Sequence, residues 1–240
     1  MTPTDDKPRK SRQLKLDFPE DSPTLDTLSV TACNRTAIAV LKRWPDWRTS
    51  TLALVGGPKS GLTTAAAAWA AKAGGEVLSA KAFSKLSHRR VEQLSHQPVA
   101  IDLAEQVKNE DNLLSIINLS SRNGGSVLLT GHVSPARWHT RLPDLTSRLK
   151  SMTLVELGPP DDEMFSVRIR SAMKRRFLKL PADVENYLLT RLDRSYLSIE
   201  TFVENLHEMI DGREVTIPLA RIVLDEMDGT RPLFDEDEDT

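Results

Sequence analysis

Short apolar runs alternate along the chain with longer stretches of mixed polarity. Five runs, at 51–55, 76–79, 99–102, 126–130 and 153–157, hold four or five residues each and are rich in Val, Leu or Ile. Such runs read as strands covered on both faces of a parallel sheet. The segments between them read as helices. Residues 63–72 are Ala-rich and strongly helix-forming. Residues 110–122 carry Leu113, Leu114, Ile116, Ile117 and Leu119 around one broad face and stop before Gly124-Gly125. Strands alternating with helices predict right-handed crossovers and a three-layer α/β domain.

After Gly158-Pro159-Pro160 the pattern changes. Asp161-Asp162-Glu163 reads as an acidic helix start, and a helix is predicted over 162–178. A second begins at Pro181, a residue suited to a first turn, and two more follow at 197–210 and 217–227. Only 215–217 resembles a strand in this half. The organisation expected is a flexible arm over 1–24, an α/β core over 25–160, a small helical domain over 161–228 and an acidic tail over 229–240.

Composition narrows the function classes. A chain of 240 residues can bury a core without disulfides or metal, and its single cysteine, Cys33, fits a reducing compartment. Lys+Arg total 32 and Asp+Glu 34, a net charge of −2, which argues against a broadly basic nucleic-acid binder. No apolar run suits a membrane span, and the polar start predicts no secretory leader, so a cytoplasmic location is expected. Charge is concentrated at the ends. Lys7, Arg9, Lys10, Arg12 and Lys15 lie in the arm, and Asp235-Glu236-Asp237-Glu238-Asp239 in the tail.

The first strand runs into Gly56-Gly57-Pro58-Lys59-Ser60-Gly61-Leu62-Thr63-Thr64, and a helix follows. Strand, Gly-rich loop and helix are the context of the phosphate loop G-x-x-x-x-G-K-[ST]. Glycines let backbone N–H groups face a phosphate, and the helix N-terminus adds positive potential. One position departs from the pattern: Leu62 stands where the lysine should be. Thr63 keeps the hydroxyl that would reach Mg²⁺, and Lys59 is the one cation within the loop. A Gly-rich turn with no nucleotide is the alternative reading. Asp102 ends the third strand, where P-loop proteins hold Mg²⁺ through a carboxylate, but Leu103 takes the place of a second acid, and Glu105 lies in another register. A strand-end Asp is otherwise a cap or turn residue. Thr130 ends the fourth strand, where a polar sensor or a cap is equally expected. Trp44 and Trp47 read as packing residues, and His132 and His139 have no metal-ligand spacing.

These features in this order resemble the Hda family of DnaA-related AAA+ regulators of bacterial replication initiation, in its alphaproteobacterial form. Gln13-Leu14-Lys15-Leu16-Asp17-Phe18 is similar to the family's sliding-clamp-binding peptide. Asn34, the loop 56–64, Asp102, Leu128-Leu129-Thr130-Gly131-His132 with Pro135-Ala136-Arg137-Trp138, and Leu142–Leu149 followed by Leu157–Asp162 match the AAA+ series. The resemblance covers about 13–225. It implies an AAA+ core with a helical lid and a negative regulator of replication initiation. Such a regulator binds the DNA-loaded clamp through Gln13, Leu14, Leu16 and Phe18. It touches DNA indirectly through the clamp and stimulates ATP hydrolysis by DnaA there, which places it at the replisome or nucleoid.

In the family, Arg148 would be the arginine finger donated in trans to DnaA, with Arg141 its nearest competitor. Asn34, residues 56–64, Asp102 and Arg194, the last in a sensor-2 segment Asp193-Arg194-Ser195-Tyr196, would surround an ADP, with Mg²⁺ only alongside nucleotide. Leu62 and Leu103 depart from the family and predict little or no ATP hydrolysis by the chain itself. A surface Arg148 paired with Asp144 and an exposed Arg194 remain the plain alternatives. A homodimer is compatible with this reading. Two other functions stay open: a helicase-loader-type AAA+ ATPase, which should keep the lysine and the second acid, and a clamp-binding adaptor with no catalytic contribution.

Overall fold

A computed structural model describes residues 23–229. The clamp-like peptide 13–18, the basic arm and the acidic run 235–239 lie outside the described residues. Five strands form one sheet: β1 Thr51–Gly56, β2 Glu76–Ser79, β3 Pro98–Asp102, β4 Ser126–Gly131 and β5 Thr153–Leu157. All pairings are parallel, in the order β2-β3-β4-β1-β5. The crossovers carry helices α1 Arg35–Lys42, before the sheet, α2 Leu62–Ala73, α3 Ala80–Phe83, α4 His88–Leu94, α5 Glu110–Asn123 and α6 Pro143–Lys150. Helices α7 Asp162–Arg175, α8 Ala182–Arg191, α9 Tyr196–Met209 and α10 Ile217–Gly229 follow.

The central strands are buried along almost their whole length because both faces are covered. On one face Ile38, Leu41, Ala66 and Trp69 of α1 and α2 pack against Leu52, Leu54 and Leu128. On the other Val91, Leu94, Ile116 and Leu145 of α4, α5 and α6 meet Val99, Ile101, Val127 and Leu129. Strand residues alternate between the two clusters, as the period of two requires. Trp47 stacks on Trp69 at 5.1 Å and Trp44 meets the same ring edge-on at 6.3 Å, so both tryptophans pack rather than face a ligand. Helices α7–α10 close around a third cluster containing Phe165, Ile169, Leu188, Phe202 and Val223.

Several local expectations shift. Helix α7 stops at Arg175, not at 178. Phe177 turns left-handed at φ 56° and the amide of Leu178 donates back to Met173 O, which closes the last turn. Pro181 is the N-cap of α8, one residue before its first turn. The apolar residues at 215–217 form no strand: Val215 is buried in the helical cluster and Ile217 opens α10.

Hydrogen bonds tie the helical unit to the α/β core. Asp161 caps α7 by accepting from Met164 N at 2.8 Å, and its other oxygen accepts from Cys33 N at 3.0 Å. These amide bonds, the Met164 bond foremost, hold its carboxyl below the usual 3.8. Tyr196 donates from its hydroxyl to Gly158 O at 3.2 Å. Burial pushes its phenol pKa well up. A side chain on Gly158 would put Cβ 3.0 Å from Cys33 O, so glycine permits this close approach.

Candidate functional site

The carboxyl ends of β1, β3 and β4 lie side by side, the edge at which open α/β sheets bind ligands. Gly56 ends β1 within 3.1 Å of His132 Nδ1 through its carbonyl. A Cβ there would come within 2.7 Å of Ser60 Oγ and 3.0 Å of Leu157 Cβ, and Gly61 adopts φ 101°, so both loop glycines are required by the backbone. Lys59 also turns left-handed, at φ 65°, which costs about 1–2 kcal/mol for a residue with a Cβ. Its side chain is exposed. The loop is closed by Ser60 N donating to Gly57 O at 3.1 Å, and Pro58 has no N–H to offer. Beyond it, the free amides of the first turn of α2 carry the positive end of the helix dipole.

Leu62, at the lysine position, does not face this edge as a truncated ligand group. It is only 4% exposed and belongs to the cluster of Ile38, Leu54 and Leu157. Leu103, at the second-acid position, packs against the same cluster. Apolar side chains thus stand at both positions, Leu62 within the core and the half-buried Leu103 against it.

The remaining polar groups are connected. Thr63 Oγ1 donates to Asp102 Oδ2 at 2.8 Å, and Thr130 Oγ1 donates to Asp102 Oδ1 at 2.7 Å. The amide of Leu103 donates to Thr130 Oγ1 at 2.8 Å. Thr130 is fully buried, so it acts as a strand-end clamp that orients Asp102. The sequence placed these three residues on separate segments, and the sheet brings them together. Glu105 returns to the same edge after the left-handed turn at Leu103. Its Oε1 accepts from His132 N at 3.0 Å, and its buried Oε2 has no partner among the described residues.

A cavity of about 210 Å³ opens between the loop, the segment before α1 and the helical unit, walled by Asn34, Gly61, Thr64, Arg168 and Tyr196 among others. Asn34 is spent on its own turn: Oδ1 accepts from Thr31 N and Nδ2 donates to Ser29 O, both at 2.9 Å. These bonds fix its orientation in the wall. Arg194 is not on this wall. Its guanidinium pairs with Asp162 and reaches Leu189 O at 3.4 Å. Arg168 takes the place expected of it, donating to Lys59 O at 2.7 Å while lying 5.3 Å over the Tyr196 ring. Four arginines crowd 168–176, and no spacing rule singles out Arg168 among them.

Arg148 lies elsewhere, in the last turn of α6 and 56% exposed, with Asp144 the nearest acid at 3.9 Å. It borders a hollow with Thr51 and Thr153, the first residues of β1 and β5. The phosphate loop leaves the other end of β1, about 17 Å away at a strand's rise per residue. Arg148 therefore cannot serve its own loop. Arg141 lies on the opposite edge, its amide donating to Glu110 Oε2 at 2.8 Å.

Among the described residues no helix is long and apolar enough to cross a membrane, and no cluster of three metal-ligating side chains occurs. No protein-family model matches the sequence. Solved structures share the fold. Domain III of the replication initiation protein DnaA from Thermotoga maritima superposes with a TM-score of 0.67 at 18% identity over 86% of this chain and 97% of that one. AMPPCP-bound DnaA from Aquifex aeolicus gives 0.65 at 21% identity, covering 88% and 72%. A DNA replication initiation factor gives 0.63 at 20% identity, covering 78% of this chain and 65%, just under two thirds, of that chain. The chain has the α/β AAA+ P-loop fold that these replication initiators share.

Proposed function

We propose that the chain is a regulator of replication initiation that engages the DNA-loaded sliding clamp and accelerates hydrolysis of the ATP held by DnaA, donating Arg148 in trans. The observation that carries this reading is the burial of Leu62 at the lysine position, with the half-buried Leu103 packed against the same core. A phosphate loop without its cation cannot neutralise the charge that develops on a transferred phosphoryl group. An exposed arginine at the far edge can meet a neighbour's nucleotide, where such a group is worth about 10³–10⁵ in rate in other NTPases. The planar guanidinium suits a phosphoryl oxygen better than a point charge does.

The chain's own edge fits a bound nucleoside diphosphate in part. Ser60 Oγ is buried and unpartnered among the described residues in the loop, and the cavity is lined by both polar and apolar side chains. At about 210 Å³ it is smaller than the roughly 300–1,000 Å³ of whole-ligand pockets, so it would take the base and ribose. Loop amides and Arg168 would hold the diphosphate, and Thr63 with Asp102 would hold an accompanying Mg²⁺. Binding there would order the helical unit against the core without turnover. Clamp attachment is assigned to Gln13, Leu14, Leu16 and Phe18, where two apolar anchors and an amide give modest affinity raised by the multivalent ring.

The test is reconstitution of clamp, DNA and ATP-loaded DnaA with and without this chain, following conversion of DnaA-bound ATP to ADP. Acceleration that requires the clamp supports the proposal. Clamp binding with no acceleration would leave an adaptor, and ATP turnover by the chain alone would favour a loader-type ATPase.

A further inference from the structure

The hollow beside Arg148 is lined by two arginines and by no acidic residue. It measures about 390 Å³, and Arg48, Thr51, Arg148 and Thr153 are among the residues that line it. Arg48 is exposed and has no ion-pair or hydrogen-bond partner among the described residues. Arg148 has only the loose contact with Asp144 at 3.9 Å. Asp46 lines an adjoining hollow that shares Arg48, Thr49 and Thr153 with this one, but it does not line this one.

From this arrangement we infer that the hollow is a site for phosphoryl oxyanions, and that Arg48 is a second cation acting beside Arg148 on the partner's triphosphate. The inference rests on the proposed trans donation for its partner, but the anion site stands on the two arginines alone. The local field explains why one arginine is not enough. Arg148 sits in the last turn of α6, where the terminal carbonyls carry negative potential that opposes an anion. Ser151 relieves part of it by donating from its hydroxyl to Arg148 O at 3.1 Å and from its amide to Ser147 O at 3.2 Å. The hydroxyls of Thr49, Ser121 and Ser151 already donate to carbonyls, so they cannot donate to a phosphate. The charge must come from the guanidiniums. Arg48 enters from the segment before β1, independent of α6, and brings its charge without that opposing field. Neighbouring strands lie about 5 Å apart, and β1 and β5 pair directly, so guanidiniums from their two entry segments can grip one phosphoryl chain.

The experiment uses the full chain and inorganic tripolyphosphate, read by amide NMR so that the two ends of the sheet are distinguished. Saturable shifts at 48–51 and 148–153 are expected, weakened at least 5-fold in Arg48→Gln and in Arg148→Gln. Shifts confined to 57–64, or unchanged at 48–51 and 148–153 in Arg48→Gln, overturn the site. In the reconstituted reaction Arg48→Gln should cut acceleration of DnaA hydrolysis at least 10-fold with clamp affinity unchanged, and Arg48→Lys should restore part of it. Full acceleration by Arg48→Gln, in a system where Arg148→Gln is inactive, overturns the role of Arg48. If the wild type binds tripolyphosphate at this hollow but does not accelerate DnaA, the anion site stands and the proposed function fails.

Discussion

Replacing Leu62 should destabilise the fold even though the position belongs to a nucleotide loop. Its side chain is 4% exposed among Ile38, Leu54 and Leu157. Burying a leucine is worth about 1.5–3 kcal/mol by transfer, and the cavity left by Leu→Ala raises the cost to about 2–5 kcal/mol. For a chain of this size each kcal/mol moves Tm by about 2–4 °C, so a mid-range loss of about 3 kcal/mol lowers it by about 6–12 °C. Leu62→Lys, which restores the motif, should also destabilise. An ammonium cannot remain in that cluster, so the stem must leave it and surrender most of the apolar burial. Urea unfolding at 25 °C, with and without ADP and Mg²⁺, measures both. If either variant unfolds at the wild-type midpoint in the absence of nucleotide, Leu62 is not a core residue, and the argument that this loop has been rebuilt as core is refuted.

Three further outcomes are expected. The purified chain should hydrolyse ATP negligibly in a coupled phosphate-release assay; robust Mg²⁺-dependent turnover abolished by Asp102→Ala would contradict this. The triple variant Gln13→Ala, Leu16→Ala, Phe18→Ala should lose clamp binding in surface plasmon resonance with an unchanged Tm; wild-type affinity would count against the peptide, and a lowered Tm against its assignment to an arm. Asp161→Ala should cost about 0.5–2 kcal/mol at pH 7 as a lost N-cap, and Asp161→Asn somewhat less, because its one oxygen keeps the cap while its NH2 faces the Cys33 amide. The Asp161 carboxyl is lowered below 3.8 in the native state, so its contribution is present above that value and lost as pH falls through the native one. An acid-unfolding midpoint unmoved by Asp161→Asn would argue against that assignment.

The parallel sheet was legible because each strand is a run of contiguous apolar residues bounded by turn residues, and the loop 56–64 marks where β1 meets α2. Helices α1, α3, α4 and α6 escaped because none exceeds eight residues, too few for a helical period to declare itself. The identity of Leu62 was plain, but its direction was not, since a leucine beside a glycine loop reads the same whether it faces solvent or core. The link Thr63–Asp102–Thr130 depends on pairing of β3 with β4 and on β1 beside β4, which no local pattern specifies. Arg194 matched a sensor segment by its neighbours, yet an acid at 162 offers it a partner across the fold. Arg168 reaches the loop instead from the second turn of α7, a position whose only signal was one basic residue among several.

The central claim is that catalytic charge is donated outward by this chain. Arg148→Ala tests it most directly in the reconstituted reaction of clamp, DNA and ATP-loaded DnaA. The account predicts unchanged clamp affinity and an unchanged fold, since residue 148 is exposed and is not part of the peptide, together with loss of the acceleration of DnaA-bound ATP hydrolysis. Arg148→Lys should rescue poorly, because a point charge lacks the bidentate fork. Conversion of DnaA-ATP to DnaA-ADP at the wild-type rate by Arg148→Ala would contradict the account.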